Sequence, residues 1–230
     1  MLQRCQLTFG FVFCFLLIQP FTGFAVEDFR VSKYGSGEQI WFEAEAFDER
    51  DSEDVYKLGK GEGALDPTEG AFGDIITNAG GQGWILYRFD ISAADGKAGD
   101  WRFIVRVINP SNHSDWLWVL GDDGDEIPTD KPAFVRPDHI IMEENAPEWT
   151  WLRTGDFGSD GGTVNKLQDG ENVMMIWTRQ SSNQVQLDVI CWSSDLDYEP
   201  TNEDYENASS GLTDVNPEGL LTTTWARLKQ

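Results

Sequence analysis

Cysteine is nearly absent from this sequence. Of 230 residues three are cysteine, and Cys5 and Cys14 both fall within the first 25. Cys191 stands alone in the rest, which excludes an internal disulfide there and any cysteine-based metal site. Histidine is as scarce. His113 and His139 are the only two, and neither belongs to a ligand-spaced cluster, so both read as ordinary surface residues. Basic residues are few, 17 Lys and Arg against 40 Asp and Glu, for a formal net charge of −23. A chain this acidic repels nucleic acid and anionic membranes. It suits cations, or neutral partners bound without electrostatic help, and no nucleic-acid partner is expected.

Long apolar runs are missing too, except at the start. Residues 1–25 carry Arg4, then "LTFGFVFCFLLIQPFTGFA", then "VED", the pattern of a secretory signal peptide cleaved near Ala25. A membrane anchor is the rival reading. Against it, Gln19, Pro20, Thr22 and Gly23 break the run, which falls short of the ~20 apolar residues of a span. The expected location is secreted, periplasmic or cell-surface, with no membrane span after cleavage. The remaining roughly 205 residues can bury a single core.

What is present is dense in strand-formers and punctuation. "QIWFEAEAF", "GWILYRFDI", "WRFIVRVI", "DWLWVLG", "EWTWLRT", "NVMMIWTR" and "VQLDVICW" are short and rich in Val, Ile, Trp, Phe and Tyr. Turn signals such as "AADGKAGD", "NPSN" and "GSDGGT" separate them. This is the signature of an all-β sandwich or jelly roll. The expected layout is a signal peptide at 1–25, a lead-in at 26–37, the β-sandwich at 38–198, and an acidic linker and tail at 199–230. Residues 195–219 read as a linker or as a strap lying on the domain. The closing "LLTTTWARLKQ" has the spacing of a short amphipathic helix, which would make the C-terminal tail helical.

Strict alternation through "IWFEAEAF" puts Trp41, Glu43, Glu45 and Phe47 on one face. Neighbouring carboxylates repel, more so when partly buried. The last strand, "VQLDVICW", interrupts an apolar run with Asp188, and alternation places Asp188 on the face of Ile190 and Trp192. If first and last strands pair, three carboxylates converge. Either these acids lie on a wet face of an edge strand, or a cation neutralises them. Oxygen donors without His or Cys point to Ca²⁺.

Six stretches, in order over residues 38–198, resemble a family 6/35-type carbohydrate-binding module, a galactose-binding-like β-jelly roll. They are "EAEAF", "GQGWILYRFDI", "GDWRFIVRV", "WTWLRTGDF", "LQDGENVMMIWTR" and "QLDVICWSSD". The resemblance implies a poly- or oligosaccharide partner, a monomer, and a structural Ca²⁺ held by Glu43, Glu45 and Asp188. It implies a sugar cleft walled by Trp149, with Trp151 as the alternative, and an Asn before the last strand, here Asn183. Arg179 ends the preceding strand and suits a uronic-acid carboxylate. The family's second loop aromatic is missing, since "FGDIITNAGGQG" holds only Phe72. Trp84 and Tyr87 correspond to framework residues, and Trp116 with Trp118 offers another flat platform.

Catalysis has less to stand on. Glu43 and Glu45 are two residues apart on one strand, whereas hydrolase carboxylates usually flank a cleft from separate elements. No phosphate loop or nucleophile elbow is present, and no enzymatic activity is expected. The rival classes are a structural or protein-interaction sandwich that has lost its sugar cleft, and an enzyme.

Overall fold

The computed structural model describes residues 26, 28–58, 67–77, 83–109, 115–120, 140–142, 145–154, 164–178 and 185–210. The apolar runs fold as strands because alternation gives each one face for a core and a second to be covered. In chain order they are β1 (Phe29–Tyr34), β2 (Gly37–Glu43), β3 (Glu49–Arg50), β4 (Lys57–Leu58), β5 (Ile76–Thr77), β6 (Gly83–Asp90) and β7 (Gly99–Asn109). β8 (Asp115–Leu120), β9 (Ile140–Met142), β10 (Ala146–Arg153), β11 (Asn165–Leu167), β12 (Glu171–Thr178), β13 (Gln186–Ser193) and β14 (Ser209–Ser210) follow. A short helix, α1 (Asn202–Asn207), lies between the last two.

All the described pairings are antiparallel and form two sheets. The larger runs β10-β7-β13-β2-β1-β14, with β4, β5 and β11 attached, and the smaller runs β3-β6-β12-β8-β9. Between them lies an aliphatic and aromatic core. Phe42, Phe103, Val105, Ile190 and Trp192 of the large sheet join Ile85, Tyr87, Phe89, Met174 and Ile176 of the small one. Phe89 stacks on Trp192 with centroids 5.7 Å apart, and Phe103 meets Trp192 edge-on at 5.4 Å. The all-β sandwich read from the sequence is the fold observed.

The sheet reaches past the expected limits at 38 and 198. The lead-in holds β1, which pairs with β2 along its length and with β14 at its far edge. Residues 195–210 form the strap, closed by a capping box in which Thr201 and Asp204 satisfy each other's backbone N–H. The strap covers the outer face of the large sheet. There Trp41, Ile104, Val189 and Cys191 pack against Tyr198, Tyr205 and Ala208. A second face buried in this way leaves all eight residues of β13 inaccessible. The signal segment and "LLTTTWARLKQ" lie outside the described residues. No described helix is long and apolar enough to cross a membrane.

Two details of register depart from strict alternation. β2 stops at Glu43, so Glu45 sits in the turn beyond it, and Phe47 packs towards the inter-sheet core instead of sharing the face of Trp41. In β13 the pairing with β7 slips between Leu187 and Val189, a bulge that leaves Asp188 as the extra residue. Leu187 faces the inner core with Ile190 and Trp192, where alternation would have put Asp188. The bulge turns Asp188 outward, away from the face that alternation assigned it. Without it, a carboxylate would be buried among apolar side chains.

Candidate functional site

The bulge decides what Asp188 meets. Arg106 stands on β7, opposite Val189 of β13 and Trp151 of β10, on the outer face of the large sheet. Its guanidinium forms an ion pair with Asp188 through Nη1, the two side chains being 3% and 0% exposed. Nη2 donates to the Gly70 carbonyl at 2.9 Å and Nε to Asn202 Oδ1 at 3.2 Å. The guanidinium lies 4.4 Å from the Phe72 ring centroid and 4.9 Å from that of Trp149. One buried cation thus ties three strands, the 68–72 loop and the strap together, with aromatic rings against its planar faces.

The loop closes over Asp188. The Phe72 N–H donates to Asp188 Oδ1 at 3.2 Å. Gly70 has φ +92, where a glycine is at ease, and a Cβ there would lie 3.6 Å from Trp149 Cδ1. The loop backbone therefore runs against the indole. Trp149 Nε1 donates to the Thr68 carbonyl at 3.4 Å. Trp149 lies in an irregular part of β10, where pairing slips between Ala146 and Thr150 beside Pro147. It stays half-buried, as does Trp151, which meets Trp41 edge-on at 5.6 Å and donates from Nε1 to Asn202 Oδ1 at 3.0 Å.

The glutamates lie next to this hub. Glu43 pairs with Val189, the neighbour of Asp188, so the first long strand and the last do bring the three acids into one region. The Tyr205 hydroxyl donates to Glu43 Oε1. Glu43 Oε2 and Glu45 Oε2 are buried without a hydrogen-bond partner. Both glutamates face Gly73, where a Cβ would be 3.6 Å from Glu43 Oε2 and from Glu45 Oε1. Burial pushes the Glu45 carboxyl up to about 7, with the Glu43 and Asp188 charges adding to it. Burial raises Glu43 as well, against the Tyr205 hydrogen bond. Asp188 is also raised by burial, with Arg106 offsetting part of the shift. Beyond Tyr205 a cleft of about 400 Å³, between β1, β2 and the end of the strap, is lined by Arg30, Glu43 and Ser210 among others.

Of the residues expected from sequence, the structure brings Glu43, Glu45, Asp188, Trp149 and Trp151 into one region. Asp188 is committed to Arg106 and Phe72. Among the described residues no group of three or more His, Cys, Asp and Glu side chains stands close enough to share one ion. Asn183 and Arg179 lie outside the described residues. Trp116 and Trp118 fall on β8, whose side chains also lie outside them. Tyr87 is framework, its hydroxyl donating to the Ala44 carbonyl at 2.6 Å. Sequence reasoning missed Arg106, Asn202 and Tyr205. The one signal for Arg106 was a charge inside the apolar run "FIVRVI", at a position alternation assigns to the same face as Ile104.

No family model matches the chain, and no curated protein matches it. Among solved structures it is similar to a family 35 carbohydrate-binding module from Clostridium thermocellum, at 14% identity over 67% of this chain and 96% of that one, with a TM-score of 0.43. It is also similar to the C-terminal family 6 module of a marine laminarinase from Zobellia galactanivorans, at 10% identity over 68% of this chain and 99% of that one, TM-score 0.40. An exo-β-1,3-galactanase from Phanerochaete chrysosporium matches at 15% identity over 69% of this chain but 29% of that one, TM-score 0.41. The solved structures it resembles thus include carbohydrate-binding modules of families 35 and 6, a likeness at low identity.

Proposed function

We propose that this chain is an exported, monomeric, non-catalytic module that binds a poly- or oligosaccharide and carries a structural Ca²⁺. The observation that carries the reading is the pair Trp149 and Trp151. Both are half-buried on one face of an edge strand; a buried arginine and a loop backbone hold Trp149, and Trp41 and Asn202 hold Trp151. Pyranose rings present C–H faces that stack on such indoles, and a rigid platform loses little entropy when it is occupied. A glycan array followed by calorimetry tests it. Wild type should bind at least one oligosaccharide with a Kd on the order of micromolar to millimolar, and Trp149→Ala should not.

The fit to Ca²⁺ rests on the glutamates. Two carboxylates present buried, unpartnered oxygens to one region, and such oxygens suit a hard cation. Asp188 is the member that must exchange Arg106 for the ion. Bound Ca²⁺ would supply charge neutralisation and stability by mass action, about 2.7 kcal/mol at a hundred times the Kd. EDTA should lower the Tm and Ca²⁺ restore it. An unchanged melt, with metal analysis showing no retained ion, would refute the assignment.

One observation favours a second reading, an interaction domain without a sugar cleft. Phe72, the aromatic that could form an opposite wall, is turned inward against Tyr205, centroids 4.7 Å apart, and against Arg106. Among the described residues the candidate sugar site is one-sided. An array without a single hit would support this second reading.

A further inference from the structure

The strap brings to Trp149 and Trp151 a polar group that neither the strands nor the loop supplies. Asn202 is exposed, yet its amide is fixed. Oδ1 accepts from both Arg106 Nε, at 3.2 Å, and Trp151 Nε1, at 3.0 Å. Two donors on one oxygen settle which way the amide is turned. The oxygen thus faces the guanidinium and the indole N–H, and the NH₂ group takes the other arm of the amide. Trp149 completes the arrangement through the same guanidinium, 4.9 Å from its ring. A planar donor locked beside two partly exposed indoles meets both requirements of sugar recognition: a flat apolar surface and an oriented hydrogen-bonding group.

We propose that Asn202 contacts the ligand, its Nδ2 group donating to a hydroxyl oxygen of a neutral saccharide seated on Trp149 and Trp151. This rests on the sugar-binding reading above. Charge selects a neutral ring over a uronic acid. Glu203 follows Asn202, Glu148 precedes Trp149, and both are exposed. Arg106 cannot offset them, because it is 3% exposed and its contacts run inward to Asp188, Gly70 and Asn202. Arg153, two residues past Trp151, is held by Glu199 at 3.2 Å. Among the described residues, a carboxylate on the ligand would meet the two glutamates without a guanidinium turned towards it.

The test titrates the full chain by calorimetry with cellohexaose, xylohexaose, laminarihexaose and hexagalacturonate. Asn202→Asp keeps an oxygen for Arg106 and Trp151 but replaces the NH₂ donor with an acceptor. Wild type should bind at least one neutral hexaose and not hexagalacturonate, and Asn202→Asp should weaken that binding at least tenfold. In ¹⁵N-labelled wild type, the Asn202 side-chain NH₂ resonances should shift on saturation, a readout independent of whether the variant folds. Unshifted resonances, or unchanged affinity in a folded Asn202→Asp, overturn the role of Asn202. If Trp149→Ala still abolishes binding, the wider reading survives that outcome. Binding of hexagalacturonate alone overturns the neutral preference. Binding of none of the four, with an empty glycan array, overturns both readings together.

Discussion

Asp188→Ala puts the central ion pair under direct test. Asp188 and Arg106 are 0% and 3% exposed, so neither charge regains hydration when the other is removed. Truncating Asp188 leaves a guanidinium against Phe72 and Trp149 whose remaining acceptors among the described residues are neutral, the Gly70 carbonyl and Asn202 Oδ1. Breaking a buried pair from one side costs about 3–5 kcal/mol. For a domain of this size each kcal/mol moves Tm by about 2–4 °C, so the melt should fall by about 6–20 °C. Arg106→Met should lose a similar amount, because it leaves the Asp188 carboxylate with the Phe72 N–H as its remaining partner here. The double variant Arg106→Met/Asp188→Ala removes both charges and should recover much of the loss, since apolar replacement of a buried pair is often neutral or better. Urea denaturation of the four proteins gives the coupling energy. The cycle is run in EDTA, so that the loss reports on Arg106 and not on an ion. Single variants within about 1 kcal/mol of wild type, or losses that simply add, would refute the reasoning. A loss seen in Ca²⁺ and absent in EDTA would assign Asp188 to the metal instead.

Three further outcomes are expected. In EDTA, stability should fall as pH rises from about 4.5 to about 7, because folded Glu45 keeps a proton that the unfolded chain has lost. Added Ca²⁺ should flatten that slope, and melts at pH 5 and pH 8 with and without the ion check it. Trp149→Ala should cost about 1–2 kcal/mol, the scale of a partly desolvated cation–π contact. Trp192→Ala, in the inter-sheet core, should cost about 3–5 kcal/mol by denaturation. Tyr205→Phe removes the hydroxyl that donates to Glu43 and should destabilise by about 1.5–3 kcal/mol. It should also speed amide exchange in residues 198–208, and unchanged exchange there would show that Glu43 does not anchor the strap.

The sandwich was legible because its causes are local. Alternating Val, Ile, Trp, Phe and Tyr, cut by turn residues, produce short two-faced strands wherever they occur. The apolar face of "GWILYRFDI" pairs with a core whatever lies far away in sequence. The acids were legible for a related reason: Glu43 and Asp188 each interrupt an apolar run, and strands β2 and β13 are neighbours. The face of Asp188 was not, because one extra residue in β13 reverses it, and a bulge is fixed by pairing with β7 and leaves no mark on the local pattern.

By itself, the sequence determined the class of fold and the chemistry available to it: oxygen donors, indoles, hardly any sulfur or imidazole, and a strong excess of negative charge. Only the tertiary structure decided how these meet. It set Arg106, the one charge in "FIVRVI", against Asp188 from a strand 82 residues further on. It brought Asn202 and Tyr205, from a stretch that reads as linker, onto Trp151 and Glu43. The physical reason is range. Periodicity reports which face a residue takes within its own strand. The partner of a buried charge depends on sheet order, register and the path of the covering strap, and these are settled by contacts between segments far apart in the chain.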